Sequence, residues 1–159
     1  MENRFSRAPK QLGDFGEGLV TYTLIRKGYE VACVDHVGAE RSGYKIAVSV
    51  NTRMYRSKSV ESRGAVFEFA HIEKLEHFSR TFSLDPVIAH GACLVDDQTI
   101  HLFMLRVADI RKELKKVKHG YRFQYGANHL PVTSALPCVD YSCWGTEQIA
   151  EGLRFAKNH

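Results

Sequence analysis

The sequence predicts a mixed α/β fold, a β-sheet with helices on its faces, and three observations carry that prediction. Apolar residues recur at steps of three and four over residues 10 to 27 and again over 71 to 82, the spacing of a helix with one buried stripe. They alternate over residues 44 to 51, the spacing of a strand with two distinct faces. Two apolar runs, Pro86 to Val95 and Thr99 to Val107, flank Asp96-Asp97-Gln98 and read as paired strands around a tight turn.

In the first helix Leu12, Phe15, Leu19 and Thr23 form the stripe, widened by Val20 and Leu24. Arg26 and Lys27 suit a helix C-terminus, and Gly28 is placed to stop it. Gly16 and Gly18 inside the helix cost about 1 kcal/mol each relative to alanine. Close packing against a strand or a ligand would offset that cost. Tyr29 to Val34 reads as a strand ending at Asp35 and His36, and residues 37 to 43 as a turn region.

On the next strand Tyr44, Ile46, Val48 and Val50 share one face. Lys45, Ala47, Ser49 and Asn51 share the other, which is small and polar, as expected of a strand that lines a site. Residues 54 to 64 lack periodicity and read as a loop, with a short strand at 65 to 69. In the second helix Ile72, Leu75, Phe78 and Phe82 point inward, and the helix ends before Pro86. Beyond the hairpin, residues 108 to 118 read as a short basic helix and 121 to 140 as irregular chain. Gly126, Pro131 and Pro137 punctuate that stretch, and residues 145 to 156 read as a closing helix carrying Ile149, Leu153 and Phe155.

A chain of 159 residues with 44% hydrophobic and 25% charged residues fits one domain. Its expected span is 1–159, with a core over 10–107 and a helical or irregular extension over 108–159. No apolar run approaches the roughly 20 residues of a membrane helix. The basic N-terminus is followed by no apolar segment, so the expected setting is cytoplasmic. Cys33, Cys93, Cys138 and Cys143 are scattered, and three lie in or beside apolar stretches, as reduced structural thiols do. A zinc site from Cys138, Cys143 and His129 has poor spacing. The eight histidines show no metal-binding spacing, and no phosphate-binding or dinucleotide-binding glycine motif is present.

The net charge of +4 is unevenly spread. Arg53, Arg56, Lys58 and Arg63 form one cluster, and Arg111, Lys112, Lys115, Lys116, Lys118 and His119 form another. Such clusters suit a surface that tracks phosphates, and for the second a solvated helix face is the alternative. Arg53 could grip a phosphate with two hydrogen bonds. Trp144, Tyr141 and the aromatics of 121 to 125 could stack bases, although core packing is the commoner use.

Several short motifs occur in an order that resembles a known family. They are Gly13-x-x-Gly16-Glu17, Leu24-x-x-x-Gly28-Tyr29-x-Val31, Gly38-Ala39-Glu40, the strand from Ile46 to Arg53, and Asp85-Pro86-Val87 after the second helix. Over residues 10 to 107 the chain resembles the PD-(D/E)XK superfamily, the fold of restriction endonucleases and Holliday-junction resolvases. The resemblance implies a restriction-endonuclease-like sheet, DNA as partner and, if catalytic, a Mg²⁺-dependent phosphodiesterase. In active members a helix glutamate, an aspartate after the first strand and an (Asp/Glu)-x-Lys on the next strand surround the metal. Hard cations need carboxylates, and the metal activates water and offsets charge on phosphate.

Carried over residue by residue, the resemblance implies catalytic roles at Glu17, Glu40, Ser49 and Asn51, and metal ligation at Glu17, Asp35 and Glu40. Here the sequence departs from the pattern. Ser49-Val50-Asn51 holds neither the carboxylate nor the lysine, and the segment between Gly38 and Tyr44 is short. Three readings stand. The site is inactive, leaving a nucleic-acid-binding domain or a non-catalytic scaffold for a protein partner or a second copy of the chain. Or it is rearranged, with Asp35 or Glu40 joining Glu17 on the metal and Lys45 supplying the amine. Or Asn51 replaces a lysine by substitution.

Overall fold

The computed structural model of the chain describes residues 8–33, 36–55, 64–94, 98–125, 133–134, 136 and 138–145. Helix α1 (Ala8–Arg26) buries Leu19, Val20 and Leu24, the stripe expected from its periodicity. Gly28 ends it at φ +83°, its N–H donating to the Ile25 carbonyl while that of Tyr29 reaches Leu24 at 3.0 Å.

Strands β1 (Glu30–Cys33), β2 (Val37–Arg41) and β3 (Tyr44–Tyr55) follow as an antiparallel meander. Residues 37–41, expected to be a turn, are therefore a strand. Val37 and Ala39 are buried while Glu40 is exposed, and the turn is confined to Ser42 (φ 51°) and Gly43 (φ 81°). Two positive φ values at a two-residue loop are those of a type I′ hairpin, whose twist matches its strands.

Next come β4 (Gly64–Glu68), α2 (Phe69–Phe82), β5 (Asp85–Leu94), β6 (Thr99–Arg106) and α3 (Val107–Glu113). β5 lies parallel to β3, and β6 returns antiparallel, with Leu94 opposite Thr99. Residues 95–97 of the expected turn lie outside the described residues. Beyond α3 the structure departs from expectation. The basic helix stops at Glu113, and β7 (Lys115–Val117), β8 (Gly120–Gln124) and β9 (Val139–Trp144) replace helix and irregular chain. Pairing with other strands, which local composition does not encode, makes the difference. Residues 146–156 of the expected closing helix are outside the described residues.

Two sheets result. The larger has six strands in the order β1-β2-β3-β5-β6-β9, and the smaller three in the order β4-β8-β7. Val48, Ala89 and Leu102 face α1 with Leu19, Val20 and Leu24. Ala47, Ile88 and Phe103 face the other way, onto Ile72 and Leu75 of α2 and Phe67 and Phe123 of the small sheet. Each fully buried aliphatic or aromatic side chain contributes on the order of 2 kcal/mol. Phe82, expected inward, is instead 59% exposed at the end of α2. The fold is thus a mixed α/β sheet flanked by helices, with a small second sheet on the α2 side.

Candidate functional site

Strand β3 outruns its neighbour. Its last rung with β2 is Val48 opposite Val37, whereas β5 accompanies it to Tyr55. From residue 49 onward its β2-side edge is paired with no described strand, and a notch opens in the sheet. Alternation assigns the side chains around it. Val48 and Val50 pack on the α1 side and Ala47 and Tyr55 on the α2 side, so Ser49, Asn51 and Arg53 project toward α2.

Each wall of the notch has a local cause. On the α1 side Gly16 and Gly91 make room for Thr52: a Cβ on Gly16 would lie 1.8 Å from the Thr52 hydroxyl, and one on Gly91 3.3 Å from its methyl. Glu17 follows Gly16 and is exposed. On the α2 side the His36 ring meets Phe78 edge-on, with centroids 4.9 Å apart. Continuing the β2–β3 register by one residue sets His36 across from Ser49.

Deeper in the sheet Asn51 shares a rung with His90 of β5. His90 is fully buried, and its Nε2 lies 2.9 Å from the Tyr125 hydroxyl, which in turn contacts the Tyr55 hydroxyl. Burial, and then the positive charge of Arg53, lowers the imidazole to about 3, so the ring is neutral. Its Nδ1 has no hydrogen-bond partner among the described residues.

The residues singled out in the sequence are only partly gathered here. Ser49, Asn51 and Arg53 share the α2-facing side of β3, half-buried, half-buried and exposed in turn. Glu17 belongs to α1, on the other face. Glu40 is at the far end of the hairpin, opposite Lys45 and 3.7 Å from its ammonium. Four residues of strand, roughly 13 Å, separate that rung from Ser49. The Glu40–Lys45 pairing is therefore an ion pair beside the turn and not part of the notch. Asp35, Arg56, Lys58 and Arg63 lie outside the described residues, as does His129. Cys138 is the turn residue before β9 and Cys143 lies within it; the stretch from Val139 to Cys143 alone spans roughly 13 Å, which does not favour one zinc ion between them.

The sequence marks His36, with Asp35, only as a candidate at a strand end; counting rungs outward from the Ser42-Gly43 turn is what brings it to the notch. The His90–Tyr125–Tyr55 chain carries no such signal, since its members are 35 and 70 residues apart.

A magnesium ion takes oxygen ligands, chiefly carboxylates. Of the residues placed at the notch only Glu17 has a carboxylate, and it sits on the opposite face from Ser49 and Asn51. No group of three His, Cys, Asp or Glu side chains suited to a metal occurs among the described residues. The described residues alone do not make up a magnesium site.

A cavity of about 950 Å³ opens at the other end of the sheet, between Lys27, Tyr44, Arg106, Asp109 and Asp140. Most of its charges are paired: Lys27 with Asp140, Arg106 with Asp109 at 2.8 Å and Lys112 with Glu113, while Arg41 donates to the Lys27 carbonyl. The Tyr44 hydroxyl donates to Asp85 at 2.5 Å; burial and that bond push it up to about 12.

The fold and the open-edged β3 define a class: a mixed α/β scaffold with a six-stranded sheet flanked by helices. No protein-family model matches the sequence, and no curated protein does. Among solved structures the chain is similar to that of Archaeoglobus fulgidus Hjc, a Holliday junction resolvase from an archaeal hyperthermophile. The TM-score is 0.54 at 15% identity, covering 76% of this chain and 88% of that one. At that identity the likeness is one of fold.

Proposed function

We propose that this chain binds nucleic acid across the notch of β3, on a resolvase-type scaffold, without a magnesium-dependent cleavage site built from its described carboxylates. One observation carries the reading: the placing of cations that pair with no acid among the described residues. Lys115 and Arg122 share a rung of the small sheet, both exposed. Like charges on one rung repel unless an anion lies over them. Arg53 is exposed at the notch, beside the uncharged Ser49 and Asn51, whose side chains can donate to phosphate oxygens. The resemblance of Gly16-Glu17 to the family's helix motif, together with the fold likeness to a junction resolvase, favours DNA as the partner.

Affinity for duplex and four-way-junction DNA, measured between about 50 and 200 mM KCl, tests this. Binding is expected to weaken steeply as salt rises, because each phosphate contact releases a counterion. Binding that is absent at low salt, or indifferent to salt, would overturn the proposal and leave a protein-interaction scaffold.

A further inference from the structure

Exposure of Phe82 sets it apart on α2. The ring lies at the helix end, 59% exposed, and the end is not frayed. Ser83 adopts a left-handed conformation, φ 55° and ψ 46°, and its N–H closes onto the Arg80 carbonyl. The N–H of Leu84 closes onto Ser79 at 2.8 Å. Phe82 is thus held out in solvent by a formed cap.

The ring also continues a series. Phe82 and Phe78 have centroids 4.9 Å apart, and Phe78 and His36 likewise, so three aromatic rings run in sequence from the notch outward. On α2 Lys74, four residues before Phe78, and His71, seven before it, lie along the same flank, both exposed. The acids of the helix lie elsewhere: Glu73 and Glu76 fall on the other flank, where Glu76 is bound by Arg111 at 2.8 Å. Among the described residues this flank therefore offers π-faces and a cation with no carboxylate beside them.

Resting on the nucleic-acid reading above, we infer that the preferred substrate class has unpaired bases, which stack on the Phe82–Phe78–His36 surface. A polyanion that also carries flat apolar faces matches both properties of the flank. In a regular duplex those faces are hidden in the stack, so only single strands, gaps or opened branch points can present them. The commitment is to an unpaired nucleobase with its phosphate toward Lys74, not to a protein partner.

Wild type, Phe82→Ala and Phe82→Trp are to be compared at one low salt concentration, after thermal melts establish that each is folded. The probes are a single-stranded oligonucleotide bearing 2-aminopurine and a fully paired duplex of the same length. Phe82→Ala is expected to weaken single-strand binding on the order of ten-fold, the scale of one lost base-stacking contact. Duplex binding should stay unchanged, Phe82→Trp should retain single-strand affinity, and the 2-aminopurine emission should respond to wild type but not to Phe82→Ala. If wild type binds but Phe82→Ala alters neither substrate, or both equally, stacking is overturned while nucleic-acid binding stands. If wild type binds neither substrate, both readings fall.

Discussion

Gly16 of α1 rests directly on the side chain of Thr52 in β3: a Cβ at residue 16 would come 1.8 Å from the Thr52 hydroxyl. This contact sets the height of the first helix over the sheet and so the position of Glu17 beside the notch. It also accounts for a glycine that weakens the helix by about 1 kcal/mol. Thr52 Oγ1 is buried without a partner among the described residues, so the contact is one of shape and not of hydrogen bonding.

Gly16→Ala should therefore destabilise the fold by about 2 kcal/mol, despite the better helix propensity of alanine, because the added methyl overpacks the interface. Gly16→Ala combined with Thr52→Ala should recover more than half of that loss. Urea unfolding of the single and double variants measures it. Additive losses would show that the two residues do not meet.

Ser42 stands at φ 51° in the two-residue turn between β2 and β3. Asparagine tolerates that conformation better than serine and is the favoured partner of a following glycine. Ser42→Asn should raise stability by roughly 0.5 kcal/mol, seen as a higher urea midpoint at unchanged slope. An unchanged or lower midpoint would speak against a type I′ turn.

His90 gives the fold an acid sensitivity. Folded, its pKa is lowered from 6.5 to about 3, first by burial and then by Arg53. Unfolded, the ring takes up a proton below about 6.5. The unfolded chain then binds more protons than the folded one, so stability falls as pH drops from about 6.5 toward 3. The slope from this group reaches at most about 1.4 kcal/mol per pH unit. His90→Gln, which does not titrate and can still bond Tyr125, should flatten that part of a stability-against-pH curve. An unaltered slope in the variant would place the sensitivity elsewhere.

The missing ligands can be supplied on the same rungs. Extending the β2–β3 register one residue past Val37–Val48 sets His36 across from Ser49, and Asn51 is two residues on. Calorimetric titration with Mg²⁺ should show no saturable binding to wild type at millimolar concentration. Saturable binding is expected in the triple variant His36→Asp, Ser49→Glu, Asn51→Lys, where two carboxylates converge. Tight binding to wild type would mean that the donor set at the notch has been wrongly drawn.

How far the sequence could be read depended on where each element draws its stability. α1, α2 and the β5–β6 hairpin announce themselves through periodicity, since each buries its own stripe or face, and Gly28 stops α1 as expected. β2 did not, because Val-Gly-Ala-Glu-Arg is short, holds a glycine and becomes a strand only by pairing on both sides. β7 is basic and nearly all exposed, so nothing local separates Lys115–Val117 from the end of a basic helix. At the site, the motif on β3 led to Ser49 and Asn51 and the Gly-Ala-Glu match to Glu40, while His36 stood only as a residue at a strand end. Register, counted from the turn, separates those two, and register is a property of the pair of strands.

The most direct test of nucleic-acid binding at the notch is the salt dependence of DNA affinity for wild type, Arg53→Ala and Lys45→Ala. Arg53 is exposed at the notch, whereas Lys45 pairs with Glu40 at the far end of β3. Arg53→Ala is expected to weaken binding and to lower the slope of log affinity against log salt by about one, while Lys45→Ala leaves both nearly unchanged. Equal effects of the two substitutions, or none from Arg53→Ala, would contradict the account.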